Sequence, residues 1–461
     1  MTDLHTKLAA RLGPKGYSTD AEIIAPHLKE WRGRFQGEAP FMAMPSSAEE
    51  VSAVVRLCAE AGAAITPQGG NTGLVGAQIP QGEILLSMKR MNRIRDIDAD
   101  DDALVAEAGV VLKNVQDAAA KADRLFPLSL ASEGSATIGG LISTNAGGVH
   151  VLRYGMMRDL VFGLEAVLPD GRIWSSLKRL RKDNTGYDLK QLFIGAEGTL
   201  GVVTAASLKL YPRPRSRVTA LAAPPTAEAA LALLHRVKAE TGAVSAFELM
   251  DRMSVALTAK NVKGQRDPMP GAAFIALIEF EAAFAEGLRE RVEETLAAAI
   301  EACETADALI AENEGQAHSF WKLREDLSSG HRAEGVQVNH DISVPVSRIP
   351  AFLPLAQAAA DKILPGARIV AFGHMGDGNL HYSVLAPEGF DPALFPREML
   401  NSAINEIVVA LDGSISAEHG IGVARLADFN RFKDPSALAL MRLIKAAFDP
   451  RGVMNPRALI G

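Results

Sequence analysis

Glycine is concentrated in three short segments of the N-terminal half of this 461-residue chain. The segments are residues 67–73 (PQGGNTG), 134–148 and 195–203. The first segment follows a strand-like run, and its glycines let successive N–H groups converge on an anion. One such segment most often marks a surface turn. Three of them, also rich in Ser, Thr and Asn, favour the binding of one extended dinucleotide.

Two common nucleotide-binding folds are disfavoured by motif. No GxGxxG segment follows a predicted strand, and GxxxxGK[ST] does not occur. A Rossmann domain and a P-loop NTPase are therefore poor interpretations of the glycine segments.

Composition excludes several other classes. Lys plus Arg number 48 against 55 Asp plus Glu, and this net charge of -7 argues against non-specific nucleic-acid binding. Only Cys58 and Cys303 are present, so a disulfide framework is excluded. No run approaches the roughly 18 apolar residues of a spanning helix, and no secretory signal pattern is seen. We expect a cytoplasmic protein without a transmembrane segment or a nucleic-acid partner.

Hydrophobic patterning predicts two different regions, separated by a Pro/Arg segment at 212–217 that suits neither helix nor strand. The later region is expected to be a separate α+β unit, a mixed sheet with helices on one face. An amphipathic helix is predicted over 436–448, near the end of the chain. The later region's predicted helices are 226–240, 282–304 and 348–362, and its predicted strands are 245–250, 273–280 and 368–373.

The glycine segments resemble the FAD-binding segments of the vanillyl-alcohol-oxidase/PCMH flavoprotein superfamily. With the motifs described next, the resemblance extends over nearly the whole chain and is closest to the D-lactate and D-2-hydroxyglutarate dehydrogenase branch. It implies an α+β fold with a two-subdomain, PCMH-type FAD-binding domain at 1–215. A cap domain with a mixed or antiparallel sheet is expected at 216–424, and a C-terminal segment, 425–461, is expected to return to the FAD domain.

The same resemblance implies a set of FAD contacts. Some relatives link the flavin covalently through a histidine, and Asn71 with no histidine in its loop leads us to expect a dissociable FAD. The implied contacts are Pro67, Gln68, Gly69, Gly70, Asn71, Thr72, Gly73, Gly134, Thr137, Gly139, Gly140, Asn145, Gly147, Gly148, Gly198, Val203 and Asn455.

Three of the ten histidines lie in two short motifs. In FGHMGDGNLH, His374 and His381 flank a Gly-Asp-Gly turn. A hairpin would place them side by side, because directly opposed side chains are about 4.5–5.5 Å apart. SAEHGIG supplies Glu418 and His419. A lone histidine is usually structural, but two imidazoles and a carboxylate with open positions suit Zn²⁺ best, and also Mn²⁺ or Fe²⁺. The resemblance implies that His374, His381 and Glu418 hold the metal and that His419 is the catalytic base.

A second pair of residues suits a substrate carboxylate. Arg324 and Ser328 are one turn apart in a helical pattern, and a guanidinium beside a hydroxyl binds carboxylates well. The residues alone favour a surface arginine with an exposed serine, and it is the resemblance that assigns them to the substrate.

The identity of the acid is suggested by two departures from the D-2-hydroxyglutarate dehydrogenases. Asn339 and Ser383 stand where that subfamily has a lysine and an asparagine for substrate binding. Loss of the lysine favours a monocarboxylic D-2-hydroxy acid such as D-lactate, although His340 or Arg332 could supply a replacement charge.

These inferences predict an FAD- and metal-dependent dehydrogenase. It would convert a D-2-hydroxy acid into the 2-keto acid, transfer hydride to the flavin, and pass electrons to electron-transfer flavoprotein, a cytochrome or a quinone. Relatives suggest a homodimer. The alternatives are a true D-2-hydroxyglutarate dehydrogenase and a catalytically silent flavin-binding subunit. A metal-dependent hydrolase is disfavoured because HExxH and GxSxG are absent.

Overall fold

A computed structural model describes residues 2–460 of the chain. Internal contacts divide these residues into two compact units. The first consists of residues 2–148, 155–213 and 418–460, and the second of 149–154 and 214–417. The short segment 149–154, for which the sequence indicated no separate placement, therefore belongs to the second unit.

The secondary structure alternates throughout the chain. The helices are α1 (Thr2–Gly16), α2 (Ala21–Ile24), α3 (Ala48–Ala61), α4 (Leu112–Lys121), α5 (Ile138–Ser143), α6 (Val151–Tyr154), α7 (Met157–Leu160), α8 (Lys190–Phe193), α9 (Ala227–Thr241), α10 (Arg252–Asn261), α11 (Leu288–Glu301), α12 (Glu314–Arg332), α13 (Ile349–Ile363), α14 (Arg397–Ala410), α15 (Leu426–Phe432) and α16 (Pro435–Phe448). The strands are β1 (Tyr17–Ser18), β2 (Met42–Ala43), β3 (Ile65–Gln68), β4 (Ile84–Ser87), β5 (Ile94–Asp98), β6 (Ala103–Glu107), β7 (Arg124–Leu125), β8 (Val161–Val167), β9 (Ile173–Ser176), β10 (Val202–Lys209), β11 (Tyr211–Pro212), β12 (Ser216–Ala222), β13 (Val244–Asp251), β14 (Phe274–Ala282), β15 (Ala308–Ile310), β16 (Gln337–Ser343), β17 (Arg368–His374) and β18 (Asn379–Leu385).

The first unit is built on two main sheets. One has the strand order β1-β2-β4-β3, with β3 and β2 parallel to β4. The other is antiparallel, with the order β5-β6-β10-β8-β9. Residues 453–455 extend the first of these sheets beside β3. The N–H of Ile65 donates to the carbonyl of Val453 at 2.8 Å, and the N–H of Asn455 donates to the carbonyl of Ile65 at 2.9 Å.

Helix α3 shows how local sequence positions an element in this unit. The Ser47 hydroxyl accepts a hydrogen bond from the Glu50 N–H at 3.3 Å and caps the first turn. Gly62, with φ 65°, ends the helix in the left-handed conformation that glycine favours. Val51, Val54 and Cys58 form the buried face.

The second unit is built on one antiparallel sheet with the order β15-β12-β14-β13-β17-β18-β16. Its two faces carry different helices. Helices α9, α11, α13 and α14 bury apolar residues against one face, and α10 and α12 pack on the other through Val255 and Leu327. The expectation of helices on one face only was therefore wrong, because α10 and α12 also carry apolar stripes that must be buried.

Within residues 2–460, every helix is too short or too polar to cross a lipid bilayer.

Candidate active site

The three glycine segments meet within the first unit. A Cβ atom on Gly69 would lie 2.2 Å from Oγ1 of Thr137, which joins the first segment to the second. A Cβ on Gly198, whose φ is 74°, would lie 3.0 Å from Cγ of Pro67, which joins the third segment to the first. Side chains at these positions would force the segments apart, so the close approach depends on glycine.

An unsatisfied hydroxyl lies inside this glycine-lined cradle. Oγ1 of Thr137 is buried and has no hydrogen-bond partner among the described residues. Buried polar atoms in native proteins normally have a partner, so the cradle lacks a polar atom that a ligand would supply. The donor set of glycine N–H groups and hydroxyls fits the phosphates and polar edges of FAD.

Two of the predicted flavin residues use their side chains to shape the first loop. Nδ2 of Asn71 donates to the carbonyl of Lys29 at 3.0 Å, and Oδ1 of Asn71 accepts from Gln78 at 3.2 Å. Gln68 lies in β3 and its Nε2 donates to the carbonyls of His27 and Gln78 at 2.9 and 3.0 Å. The side chains of Asn71 and Gln68 are thus used to shape the first loop, and the main-chain carbonyl of Gln68 accepts the N–H of Met88 at 2.9 Å.

Asn455 ties the C-terminal motif to the third glycine segment. Its Nδ2 donates to the carbonyl of Glu197 at 2.8 Å and to the carbonyl of Ala77 at 3.0 Å. The other predicted flavin residues also lie in the first unit, and they are Gly70, Thr72, Gly73, Gly134, Gly139, Gly140, Asn145, Gly147, Gly148 and Val203.

Glu197 is a functional candidate that sequence reasoning missed. Its carboxylate accepts the N–H groups of Ile421 and Gly422, both at 2.8 Å, and so orders the loop that follows His419. Burial raises the pKa of Glu197 to about 7, although the two N–H donors act in the opposite direction. A single carboxylate inside an otherwise uncharged glycine segment was the available signal.

The paired histidines lie on one face of the second unit's sheet, but not directly opposite each other. In the β17–β18 register, Phe372 is the residue opposite His381. His374 lies two residues further along β17 and is therefore a diagonal neighbour, with ring centroids 5.9 Å apart and planes at 74°. The expectation of direct opposition was wrong because β17 continues to His374 before the turn starts. The two side chains still lie on the same face of the sheet, because diagonal neighbours share a face.

The segment before Glu418 is held against the strand beside His381. The N–H of Ala417 donates to the carbonyl of Asp341 at 3.2 Å, and Asp341 pairs with His381 in the sheet. His374, His381 and Glu418 each offer a ligand atom, and these atoms all lie within 4.8 Å of one another. Two imidazoles and a carboxylate at that spacing fit a divalent cation.

A second missed residue, Glu248, contacts one of these histidines. Its carboxylate is fully buried on β13, with Oε1 2.5 Å from Nδ1 of His374 and Oε2 2.7 Å from Nε of Arg324. Burial raises the pKa of Glu248, but its contacts with His374 and Arg324 outweigh the effect of burial and bring the pKa down to about 2. An ionised carboxylate only accepts hydrogen bonds, so Nδ1 of His374 is the donor.

Arg324 is buried rather than exposed at the surface of α12. Its guanidinium carbon lies 4.9 Å from the ring centroid of Phe372, and its Nε is used by Glu248. No described residue accepts a hydrogen bond from its two terminal nitrogens, so these remain for a ligand carboxylate. Ser328 lies one turn later on α12 and is half-buried.

The two positions that bear on substrate size contact each other. Asn339 and Ser383 are opposite each other in the β16–β18 register, and the Ser383 hydroxyl donates to Oδ1 of Asn339 at 2.8 Å. His340 is opposite Tyr382 and so lies on the other face of the sheet. The expectation that His340 could replace the missing lysine was therefore wrong. Arg332, the other candidate for a replacement charge, is an exposed residue at the end of α12.

Comparison with known families agrees with both halves of this description. A family model for an FAD binding domain matches residues 39–176. A second model, for the C-terminal domain of FAD linked oxidases, matches residues 213–459.

Similar proteins cover almost the whole chain. The D-2-hydroxyglutarate dehydrogenase of Stutzerimonas stutzeri (strain A1501) is 36% identical over 468 residues, which covers 99% of each protein. The mitochondrial D-2-hydroxyglutarate dehydrogenases of Arabidopsis thaliana and Bos taurus are 36% and 37% identical, over 96% and 98% of this chain and 79% and 82% of their own.

Solved structures share the fold at low sequence identity. A crystal structure of p-cresol methylhydroxylase matches with a TM-score of 0.76 at 16% identity, over 99% of this chain and 96% of that one. Alkyldihydroxyacetonephosphate synthase matches with a TM-score of 0.72 at 18% identity, over 99% and 85%. The predicted α+β, PCMH-type fold is confirmed. The chain belongs to the FAD-linked oxidases, and it is an FAD-dependent oxidoreductase.

Proposed function

We propose that this protein oxidises a D-2-hydroxy acid to the corresponding 2-keto acid. The observation that carries the proposal is the cluster of His374, His381 and Glu418 in the same region as Arg324, whose terminal nitrogens have no acceptor among the described residues. The relatives are named D-2-hydroxyglutarate dehydrogenases, and these names support the same class of reaction.

Two bound groups supply the chemistry that side chains lack. FAD, when bound, accepts the hydride that leaves C2 of the acid. A divalent cation, when bound, lowers the pKa of the substrate hydroxyl, and Zn²⁺ suits the ligand set best, with Mn²⁺ or Fe²⁺ as alternatives. His374, His381 and Glu418 would hold that cation.

The remaining roles belong to the chain's own side chains. Arg324 binds the substrate carboxylate through its terminal nitrogens, and the Ser328 hydroxyl donates a further hydrogen bond. His419 removes the hydroxyl proton, a task for which imidazole is the usual side chain near neutral pH. Proton removal from the oxygen promotes departure of hydride from the neighbouring carbon. Electrons then leave to electron-transfer flavoprotein, a cytochrome or a quinone.

A short monocarboxylic acid such as D-lactate is the first candidate substrate. Asn339 and Ser383 are both neutral and already hydrogen-bonded to each other, so neither offers a cation to a second carboxylate. D-2-hydroxyglutarate is the second candidate, and it is favoured by the names of the relatives.

Anaerobic reduction of the flavin tests the proposal and separates the candidates. The FAD-loaded protein is mixed with D-lactate, D-2-hydroxyglutarate and their L-enantiomers, and the flavin absorbance is followed. Rapid bleaching by a D-acid, with no bleaching by its enantiomer, supports the proposed reaction. A flavin that no D-2-hydroxy acid reduces would favour the silent flavin-binding subunit instead.

A further inference from the structure

Glu248 is a charged residue between two apolar neighbours in the middle of strand β13. Its neighbours on β13, Phe247 and Leu249, are buried hydrophobic residues, and Glu248 itself has no exposed surface. Burying an ionised carboxylate is costly unless every charge-bearing oxygen is paired. Both oxygens of Glu248 are paired, one with His374 and the other with Arg324.

The contact with His374 determines which ring nitrogen is left for a cation. With Nδ1 bonded to a carboxylate, the hydrogen lies on Nδ1 and the lone pair lies on Nε2. The same bond fixes the rotation of the ring. Partners of this kind hold metal-ligating histidines in position in many metal sites.

The contact with Arg324 determines where the terminal nitrogens of the guanidinium point. Nε is held by Glu248 at 2.7 Å while the planar group lies against the ring of Phe372, with 4.9 Å from the guanidinium carbon to the ring centroid. A guanidinium fixed at Nε and stacked on a ring has little rotational freedom left, so its terminal nitrogens are pre-organised for a carboxylate.

We propose that Glu248 is a positioning residue that orients His374 for the cation and Arg324 for the substrate carboxylate at the same time. The inference rests on the proposed function, because it presupposes that His374 ligates a cation and that Arg324 binds the acid. It adds a residue to that site that touches neither the substrate nor the cation.

Glu279 provides a matched control for a purely structural role. It is a buried carboxylate on the adjacent strand β14, 4% exposed, and it anchors the same helix α12 by accepting from Nε1 of Trp321 at 3.0 Å. Its histidine partner is His150, at 3.0 Å, and His150, Glu279 and Glu281 form a second group that could hold a metal ion, separate from the proposed ligands. Loss of Glu279 therefore removes a buried charge and a helix anchor but leaves His374 and Arg324 untouched.

The experiment compares Glu248→Gln with Glu279→Gln in the FAD-loaded, metal-stripped protein. A glutamine can satisfy only one of the two donors that face Glu248, because its amide nitrogen is itself a donor. Zinc and cobalt(II) are titrated by calorimetry, and the cobalt d–d absorption spectrum is recorded. We expect Glu248→Gln to weaken metal binding at the proposed site by about 10–100-fold and to change the cobalt spectrum. Glu279→Gln should remove any cation held by His150, Glu279 and Glu281, but it should change the affinity of the proposed site by less than about threefold. The KM for the D-2-hydroxy acid is expected to rise in Glu248→Gln.

Equal metal affinity and equal KM in Glu248→Gln and the unaltered protein would overturn the role of Glu248. Absence of any divalent-metal binding by the unaltered FAD-loaded protein would overturn the proposed metal site itself, and the inference with it. If Glu248→Gln does not fold, Glu248→Asp is used instead. Its shorter carboxylate keeps the charge but cannot reach both partners. We therefore expect a lower metal affinity, a higher KM for the acid, or both. An unchanged metal affinity together with an unchanged KM would contradict the inference.

Discussion

The side-chain amide of Asn455 donates to the main-chain oxygen of Glu197 across 2.8 Å, joining two residues that are 258 positions apart in sequence. The same amide reaches the carbonyl of Ala77. Since the carboxylate of Glu197 in turn holds the N–H groups of Ile421 and Gly422, four segments of the first unit converge on this pair.

Replacing Asn455 with alanine should destabilise the first unit and weaken retention of FAD. The change leaves the buried carbonyls of Glu197 and Ala77 without a donor, at a cost of about 1–3 kcal/mol for each unsatisfied group. Thermal unfolding of the FAD-loaded protein and the amount of FAD kept after gel filtration measure the effect. Asn430→Ala, at an exposed asparagine, is the control. Identical melting of the two variants would contradict the role given to Asn455.

Gly69→Ala should impair FAD binding more than overall folding. The added Cβ would stand 2.2 Å from Oγ1 of Thr137, so the first and second glycine segments must separate, and overpacking of this kind costs about 1–3 kcal/mol. FAD affinity is measured by fluorescence titration of the apoprotein. Gly315→Ala, on α12, has only Asn313 nearby, at 3.2 Å, and serves as the comparison. Equal FAD affinities in both variants would show that the cradle does not depend on Gly69.

His419→Ala should slow anaerobic flavin reduction by about 10²–10⁴-fold, the usual scale for loss of a general base. FAD content should stay unchanged, because the predicted flavin contacts lie elsewhere. Stopped-flow absorbance with a saturating D-2-hydroxy acid measures the rate. His318→Ala, at an exposed histidine of α12, should reduce its flavin at the unaltered rate. A near-normal rate for His419→Ala would assign the base role to another group.

Treatment with a strong chelator should abolish substrate-dependent bleaching while the flavin remains bound. The cation is proposed to activate the substrate hydroxyl, whereas the FAD cradle contains none of the proposed metal ligands. Elemental analysis before and after treatment is compared with the rate of bleaching, and re-addition of zinc or manganese should restore activity. A chelated, metal-free protein that still bleaches at full speed would rule out the metal assignment.

Stability should depend on pH through Glu197. Its pKa in the folded protein is raised from 4.5 to about 7, so the folded state holds this proton more tightly than the unfolded state does. The stabilisation is present at low pH and is lost as pH rises from about 4.5 through about 7, by at most about 3 kcal/mol. The free energy of unfolding of Glu197→Gln should lack this decline. Parallel pH profiles for the two proteins would show that Glu197 does not titrate in that window.

The sequence contained most of the information about elements and motifs that are local. The glycine segments and the turn between His374 and His381 depend on neighbouring residues, and their patterns are readable without the fold. The FAD-binding class and the PCMH-type architecture followed from these motifs together with the family resemblance.

Contacts between distant segments could not be predicted in the same way. Glu248 lies 126 positions from His374 and 76 from Arg324, so its role appears only when β13, β17 and α12 are in place. The diagonal placement of His374 and His381 depends on the β17–β18 register. His340 lies on the opposite face of the sheet from Asn339 because successive side chains of β16 point to alternate faces. A pattern of residue types does not specify a register to within one residue.

The hydrogen bonds that Ile65 makes with Val453 and Asn455 have a consequence for biosynthesis. Strand β3 obtains these neighbours only after every residue of the second unit has been made. During translation the nascent flavin cradle thus lacks the segment around Asn455, and a ribosome that stalls before residue 453 releases a chain whose Ile65 has no edge partner there. Stable retention of the cofactor should therefore require this segment, and a chain truncated before residue 453 should be recovered colourless.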